Sequence, residues 1–143
     1  MMDSKDEISI TEYQALAEFR YELRRFLRFS EQAARAAGFE PQQHQLLLAI
    51  KGLPEGKQAT ISALAERLQI AHHSTVELID RLVERGFIQR CRGESDQRWV
   101  LVRLTPQGEE ALRNLSLAHR AELRSAGPAL VQTLTLLLSN MNT

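Results

Sequence analysis

A chain of 143 residues with 43% apolar side chains has the length of one compact domain and the material for a core, which excludes a disordered or low-complexity polymer. No apolar run approaches the roughly 18 residues of a membrane-spanning helix, and the N-terminal MMDSKDEISITEY lacks the basic and apolar regions of a secretory signal, so no membrane partner is expected. Lys plus Arg and Asp plus Glu both number 18, and this zero net charge argues against a uniformly basic nucleic-acid coat.

The first periodic segment covers about Ile10 to Ala37. Tyr13, Leu16, Phe19, Leu23, Phe26 and Leu27 recur at spacings of three and four, which predicts a helix with one apolar stripe, ended by Gly38. Such a helix is about 40 Å long at 1.5 Å per residue. One small domain cannot cover it, so a partner chain is expected. Pro41 then opens a second helix, Gln42 to Lys51, in a favoured first-turn position. Leu46, Leu47, Leu48 and Ile50 predict that this helix is mostly buried, and Gly52, Pro54 and Gly56 break it.

A β-prone piece falls near Ala59–Ile61. Ser62 is placed to cap a helix over about Ala63–Gln69, with Leu64, Ala65 and Leu68 inward. Ala71-His72-His73 makes a tight link to another helix, about His73 to Arg85, whose core side is Leu78, Ile79, Leu82 and Val83. Two helices of this length with so short a link describe a helix-turn-helix. After Gly86 the apolar period shifts towards two. Phe87–Arg92 and Trp99–Leu104 read as the strands of a hairpin around the polar turn Gly93–Arg98. Thr105 and Pro106 then start a helix as N-cap and N1, expected to run to about Ser125. Gly127-Pro128 is expected to break the chain before a last helix, Ala129–Asn140, rich in Leu. So much apolar surface at a terminus also calls for cover, most simply the first helix of a second copy.

Charge follows the same division. Residues 1–56 carry seven basic and nine acidic side chains, residues 57–104 eight and six, and residues 105–143 three and three. The middle of the chain is therefore mildly basic, and its arginines gather at the hairpin. DNA affinity depends on local phosphate neutralisation, so a neutral chain can still bind.

With these elements in place, the sequence resembles the MarR family of prokaryotic transcriptional regulators. The resemblance is carried by LAERL, then STVELIDRLVERGFI, then the hairpin with Asp96-x-Arg98, then LTPQG, in that order and spacing. It implies a mainly α fold with a small β-wing. Residues 57–104 would form a winged helix-turn-helix lobe, and 8–56 and 105–143 would supply dimerisation helices and a link from both termini of a single MarR-like domain. It implies a homodimer on a pseudo-palindromic operator in double-stranded DNA, acting as a repressor relieved by a small aromatic effector. The family often has a basic or polar residue where Glu77 stands, and the wing here has Gln97 where a charge is common.

In a helix-turn-helix the N-terminal residues of the second helix reach base edges in the major groove. Here these are His72, His73, Ser74 and Glu77; Ser and His can bond bases or phosphates, and Glu can accept from cytosine N4. Arg81 and Arg85 lie further along, either on phosphates or in an internal ion pair of Arg81 with Asp80, Glu84 or Asp96, of which the resemblance favours Asp96 of the wing. Arg98 at the wing tip suits a narrow minor groove. Asp96 is read as support for the wing's shape, and Arg90 and Arg92 as backbone-phosphate contacts. Ser62 can donate to a phosphate besides capping. By the resemblance, an effector cleft would use Tyr21, Arg24, Arg25 and His44.

His44, His72, His73 and His119 show no metal-ligand spacing, and no cofactor is expected. Cys91, the lone cysteine, excludes an internal disulfide and fits a reducing cytoplasm. In a strand it reads as a small apolar packing residue rather than a redox sensor. The competing reading is a winged-helix module for protein–protein assembly without DNA. No Gly-rich phosphate loop and no nucleophile–base ordering supports an enzyme.

Overall fold

The computed structural model describes residues 6–92 and 100–140. In chain order the elements are α1 (Ile10–Ala36), α2 (Pro41–Lys51), α3 (Ile61–Leu68), α4 (His72–Glu84), β1 (Ile88–Arg92), β2 (Val100–Leu104) and α5 (Pro106–Asn140). This is the mainly α architecture with a two-stranded antiparallel wing that the periodicities predict. Among the described residues no helix is long and apolar enough to cross a membrane. The chain divides into two compact units, one of residues 33–117 and one of residues 1–32 with 118–143.

Local chemistry sets the ends of the helices. Ser9 and Glu12 form a reciprocal cap at the start of α1: the Glu12 amide donates to Ser9 Oγ at 3.1 Å and the Ser9 amide to Glu12 Oε1 at 3.2 Å. At the other end Gly38 adopts φ +88°, and the amides of Gly38 and Phe39 donate back to the Arg35 and Ala34 carbonyls. That 5→2 and 6→1 pair satisfies carbonyls the helix would leave orphaned. Thr105 caps α5, with its hydroxyl accepting from the Gly108 amide at 3.1 Å and donating to the Gly86 carbonyl at 2.7 Å. A side chain at Gly108 would overlap the Phe87 carbonyl oxygen, so only glycine lets α5 start against the base of β1.

Within the 33–117 unit, α3 and α4 form the helix-turn-helix. Leu64, Leu78, Ile79 and Leu82 meet Leu46 and Leu47 of α2, Ile88 of β1, Val102 of β2, Leu112 and Leu115 of α5, and Ala34 and Phe39 in one buried cluster. The unit therefore reaches beyond the 57–104 lobe expected from sequence. The cause is shared burial, because α2 and the start of α5 contribute to the same core. The hairpin pairs Ile88 with Leu104 through Arg92 with Val100, and Thr60 adds one bridge to Leu101.

Three local expectations are corrected. Thr60, not Ser62, caps α3: its hydroxyl accepts from the Ala63 amide at 3.1 Å. The extended backbone that bridges Thr60 to Leu101 is also the conformation an N-cap requires, so one residue ends the β-bridge and starts the helix. Leu48 is exposed, because α2 turns its buried side, Gln43, His44, Leu46 and Leu47, away from it. Gly127-Pro128 does not end a helix, since α5 runs through Pro128 to Asn140. Gly127 takes no positive φ, and an internal proline removes a single donor from a ladder of 35 residues, so the Leu- and Ala-rich flanks continue.

In the other unit, residues of α1 and α5 pair in reverse order. His119 Nε2 lies 2.7 Å from Ser30 Oγ and meets Phe26 and Phe29 edge-on, and Thr133 Oγ1 donates to the Glu22 carboxylate at 3.2 Å. The single apolar stripe expected on α1 is split. Phe19, Leu23 and Phe26 are half-buried, whereas Tyr13, Leu16 and Leu27 are exposed.

Candidate nucleic-acid interface

The helix-turn-helix is held by apolar contacts on one side of α4, which leaves the opposite side to solvent. Thr75, Leu78, Ile79 and Leu82 are buried, and Thr75 Oγ1 donates to the Ala71 carbonyl at 3.0 Å. At 100° per residue the opposite side carries His73, Glu77, Asp80 and Glu84, and all four are exposed. His72, in the first turn, and Arg81, beside this face, are exposed as well, whereas Ser74 is half-buried. The turn before α4 places Gln69 in the left-handed region, at φ 57° and ψ 44°, with Ala71 as the N-cap, so His72 already belongs to the helix. Ser62, displaced from the cap by Thr60, is an exposed first-turn residue of α3 with its hydroxyl outside the cap bond.

Two of the expected phosphate-binding arginines are engaged elsewhere. The Arg85 guanidinium donates to Gln43 Oε1 at 3.1 Å and to the Gly38 carbonyl at 2.8 Å, and lies 4.9 and 5.0 Å from the Phe39 and Phe87 ring centres. Those rings meet at 4.8 Å. Arg85 thus ties the end of α4 to the turn after α1 and stacks on two aromatic faces, as a planar guanidinium can. Arg90 of β1 forms an ion pair with Asp80 of α4. Arg92 remains exposed on the same side of β1, two residues on. Among the described residues Arg81 has no ion pair; its expected partner, Asp96, and the wing-tip Arg98 both lie outside the described residues, as does Trp99.

The hairpin carries one more exposed arginine, on the face away from Arg90 and Arg92. Arg103 of β2 is exposed opposite Gln89, whose amide oxygen, turned towards it, accepts from Nε at 2.7 Å and Nη2 at 2.6 Å. Strand register alone would have marked it. Asp80, a candidate partner of Arg81, pairs instead with Arg90 of the next element.

The effector candidates divide between the units. Tyr21, Arg24 and Arg25 are exposed on α1, with the Arg25 guanidinium 5.7 Å from the Tyr21 ring centre. Arg25 also borders a cleft of about 400 Å³ with Glu18, Glu22, Phe26 and Glu122. His44 belongs to the 33–117 unit and is only 2% exposed, with Nδ1 3.3 Å from Gln45 Nε2, so it presents no free ring to a ligand. Its place on the inward side of α2, beside Leu47, is the reason. Cys91 is half-buried opposite Leu101, the packing position expected of a strand cysteine.

Comparison with known proteins agrees with this geometry. The MarR family model matches residues 37–98. Over 55 residues the chain is 36% identical to an uncharacterised HTH-type transcriptional regulator, YfiV, of Bacillus subtilis (strain 168), a match to 38% of this chain and 34% of that protein. The chain spans between a third and a half of the length of the curated relatives it matches. Among solved structures, AbsC, a MarR family transcriptional regulator from Streptomyces coelicolor, is similar with a TM-score of 0.72 at 23% identity, over 94% of this chain and 92% of that one. BpsR of Bordetella bronchiseptica, whose DNA binding is regulated by 6-hydroxynicotinic acid, has a TM-score of 0.64 at 20% identity, over 91% and 99%. At these identities the likeness is one of fold.

Proposed function

Because the MarR family model matches residues 37–98, we propose that this protein is a sequence-specific DNA-binding transcriptional regulator that acts as a homodimer on a pseudo-palindromic operator. The observation that carries the reading is the solvent face of α4, which sets His72, His73 and Glu77 at the N-terminal half of the second helix, where base edges are read. Ser62, Ser74, Arg81 and Arg92 are assigned to phosphate contacts, and Arg98 to a minor-groove contact. Arg85 and Arg90 serve by holding α4 to its neighbours. The dimer is supported by the exposed apolar residues of α1 and α5. Repression relieved by a small aromatic molecule is the finer part of the reading, supported by the regulation of BpsR DNA binding by 6-hydroxynicotinic acid. The site of action is the cytoplasm, where DNA is met, and neither cofactor nor catalytic step is required.

Electrophoretic mobility shift with DNA upstream of the gene tests the reading. Salt-sensitive, sequence-dependent retardation is expected. Arg98→Ala should weaken it about tenfold, the worth of one groove contact; an unchanged dissociation constant at fixed salt would remove Arg98 from the interface. A second reading, an assembly module that binds protein and not DNA, draws on one observation: three of the four residues on the outward side of α4 are acidic. Absence of salt-sensitive binding to any duplex would favour it.

A further inference from the structure

We propose that Glu77 is the side chain through which α4 reads sequence, and that it selects a cytosine in each half of the operator; this rests on the DNA-binding reading above. The outward side of α4 presents Glu77, Asp80 and Glu84, with His73 as the one residue on it that is not acidic. Free carboxylates are repelled by phosphates, so a helix offering three of them would be kept out of a groove. The structure removes two from the problem. Asp80 is neutralised by its ion pair with Arg90 of β1. Glu84 is the last residue of α4, at the far end from the positions that meet base edges. Glu77 is left, one turn beyond His73 on the same side, exposed and without an ion pair among the described residues.

A carboxylate in the major groove is stable only opposite a hydrogen-bond donor. Guanine offers N7 and O6 there and thymine offers O4, all acceptors. Adenine has the N6 donor but sets the N7 acceptor beside it, against the second carboxylate oxygen. Cytosine presents its N4 amino group with no competing acceptor on that edge. Because one helical turn rises about 5.4 Å and base pairs are spaced about 3.4 Å, the cytosine should fall within one or two base pairs of the pair facing His73.

Selection of bound duplexes from a random pool tests this with the full-length wild type, Glu77→Ala and Glu77→Gln. The wild type should enrich cytosine at one position per half-site. Glu77→Ala should reduce that preference by about tenfold or more while leaving the other positions intact, and should bind unrelated duplexes more tightly. Glu77→Gln should move the preference at the same position towards adenine, whose N6 and N7 match an amide. Residue 77 is exposed, so all three proteins should unfold at the same temperature. Identical base preferences for all three would overturn the role of Glu77 while leaving DNA binding standing. A wild type that enriches no sequence at low salt would overturn both.

Discussion

The winged unit and the long-helix unit have similar proportions of apolar residues and use them in opposite ways. Residues 33–117 close on themselves, with twelve buried side chains from all seven elements and the turn at Phe39 in one cluster. Among the described residues, the unit of 1–32 and 118–143 buries only Ala15, Ser30 and Thr133, while eleven of the fourteen exposed large hydrophobics belong to it. On α1, Ile10, Tyr13, Ala17 and Tyr21 step along a second face at spacings of three and four, and on α5 Val131, Leu134 and Leu138 do the same. Water-exposed apolar area at helical period is the mark of a surface meant for another helix. One unit carries its own core, and the other leaves most of its apolar side chains exposed.

That contrast can be broken by substitutions placed on either side of it. The largest effect is expected from Val131→Asp combined with Leu134→Asp. Charges on the exposed face of α5 should convert the dimer to monomers in sedimentation velocity, with the winged unit still folded; a dimer of unchanged mass would show that this face is not the interface. Leu82→Ala acts in the opposite unit. It empties a fully buried position and should cost about 2–5 kcal/mol in denaturant unfolding without altering the mass of the native protein. A loss below about 1 kcal/mol would mean that the core can collapse around the missing side chain. The smallest effect sharpens the local picture: Thr60→Ala should cost about 1 kcal/mol through loss of the helix cap, and Ser62→Ala almost nothing. The reverse order would restore Ser62 as the cap.

Much of the winged unit is legible in sequence because its signals are local. The apolar spacing of α4, the change of period after Gly86 and the Thr105-Pro106 start of α5 each act within a few residues, and each appears where the pattern predicts. What escapes does so for a reason. Gln69 makes the left-handed turn without being glycine, so nothing in its identity marks it. Pro128 reads as a break, yet its helix continues because neighbouring turns outweigh one lost donor. Arg85 and Arg90 look like free cations in a basic hairpin region. Their partners are Gln43 and Gly38, more than 40 residues away, and Asp80, ten residues away on another element.

For the candidate interface the division is the same. Sequence by itself determined which helix would carry the reading face, that a two-stranded wing would follow it, and which side chains were chemically able to meet DNA. Periodicity and capping operate over one or two turns, so the chain states them openly. Tertiary structure decided which of those side chains remained free. It withdrew Arg85 and Arg90 into packing and an ion pair, buried His44, and left Glu77 as the carboxylate in the first half of α4 with no ion pair among the described residues. Such choices depend on side chains brought together from distant parts of the chain, and only the folded core brings them into reach.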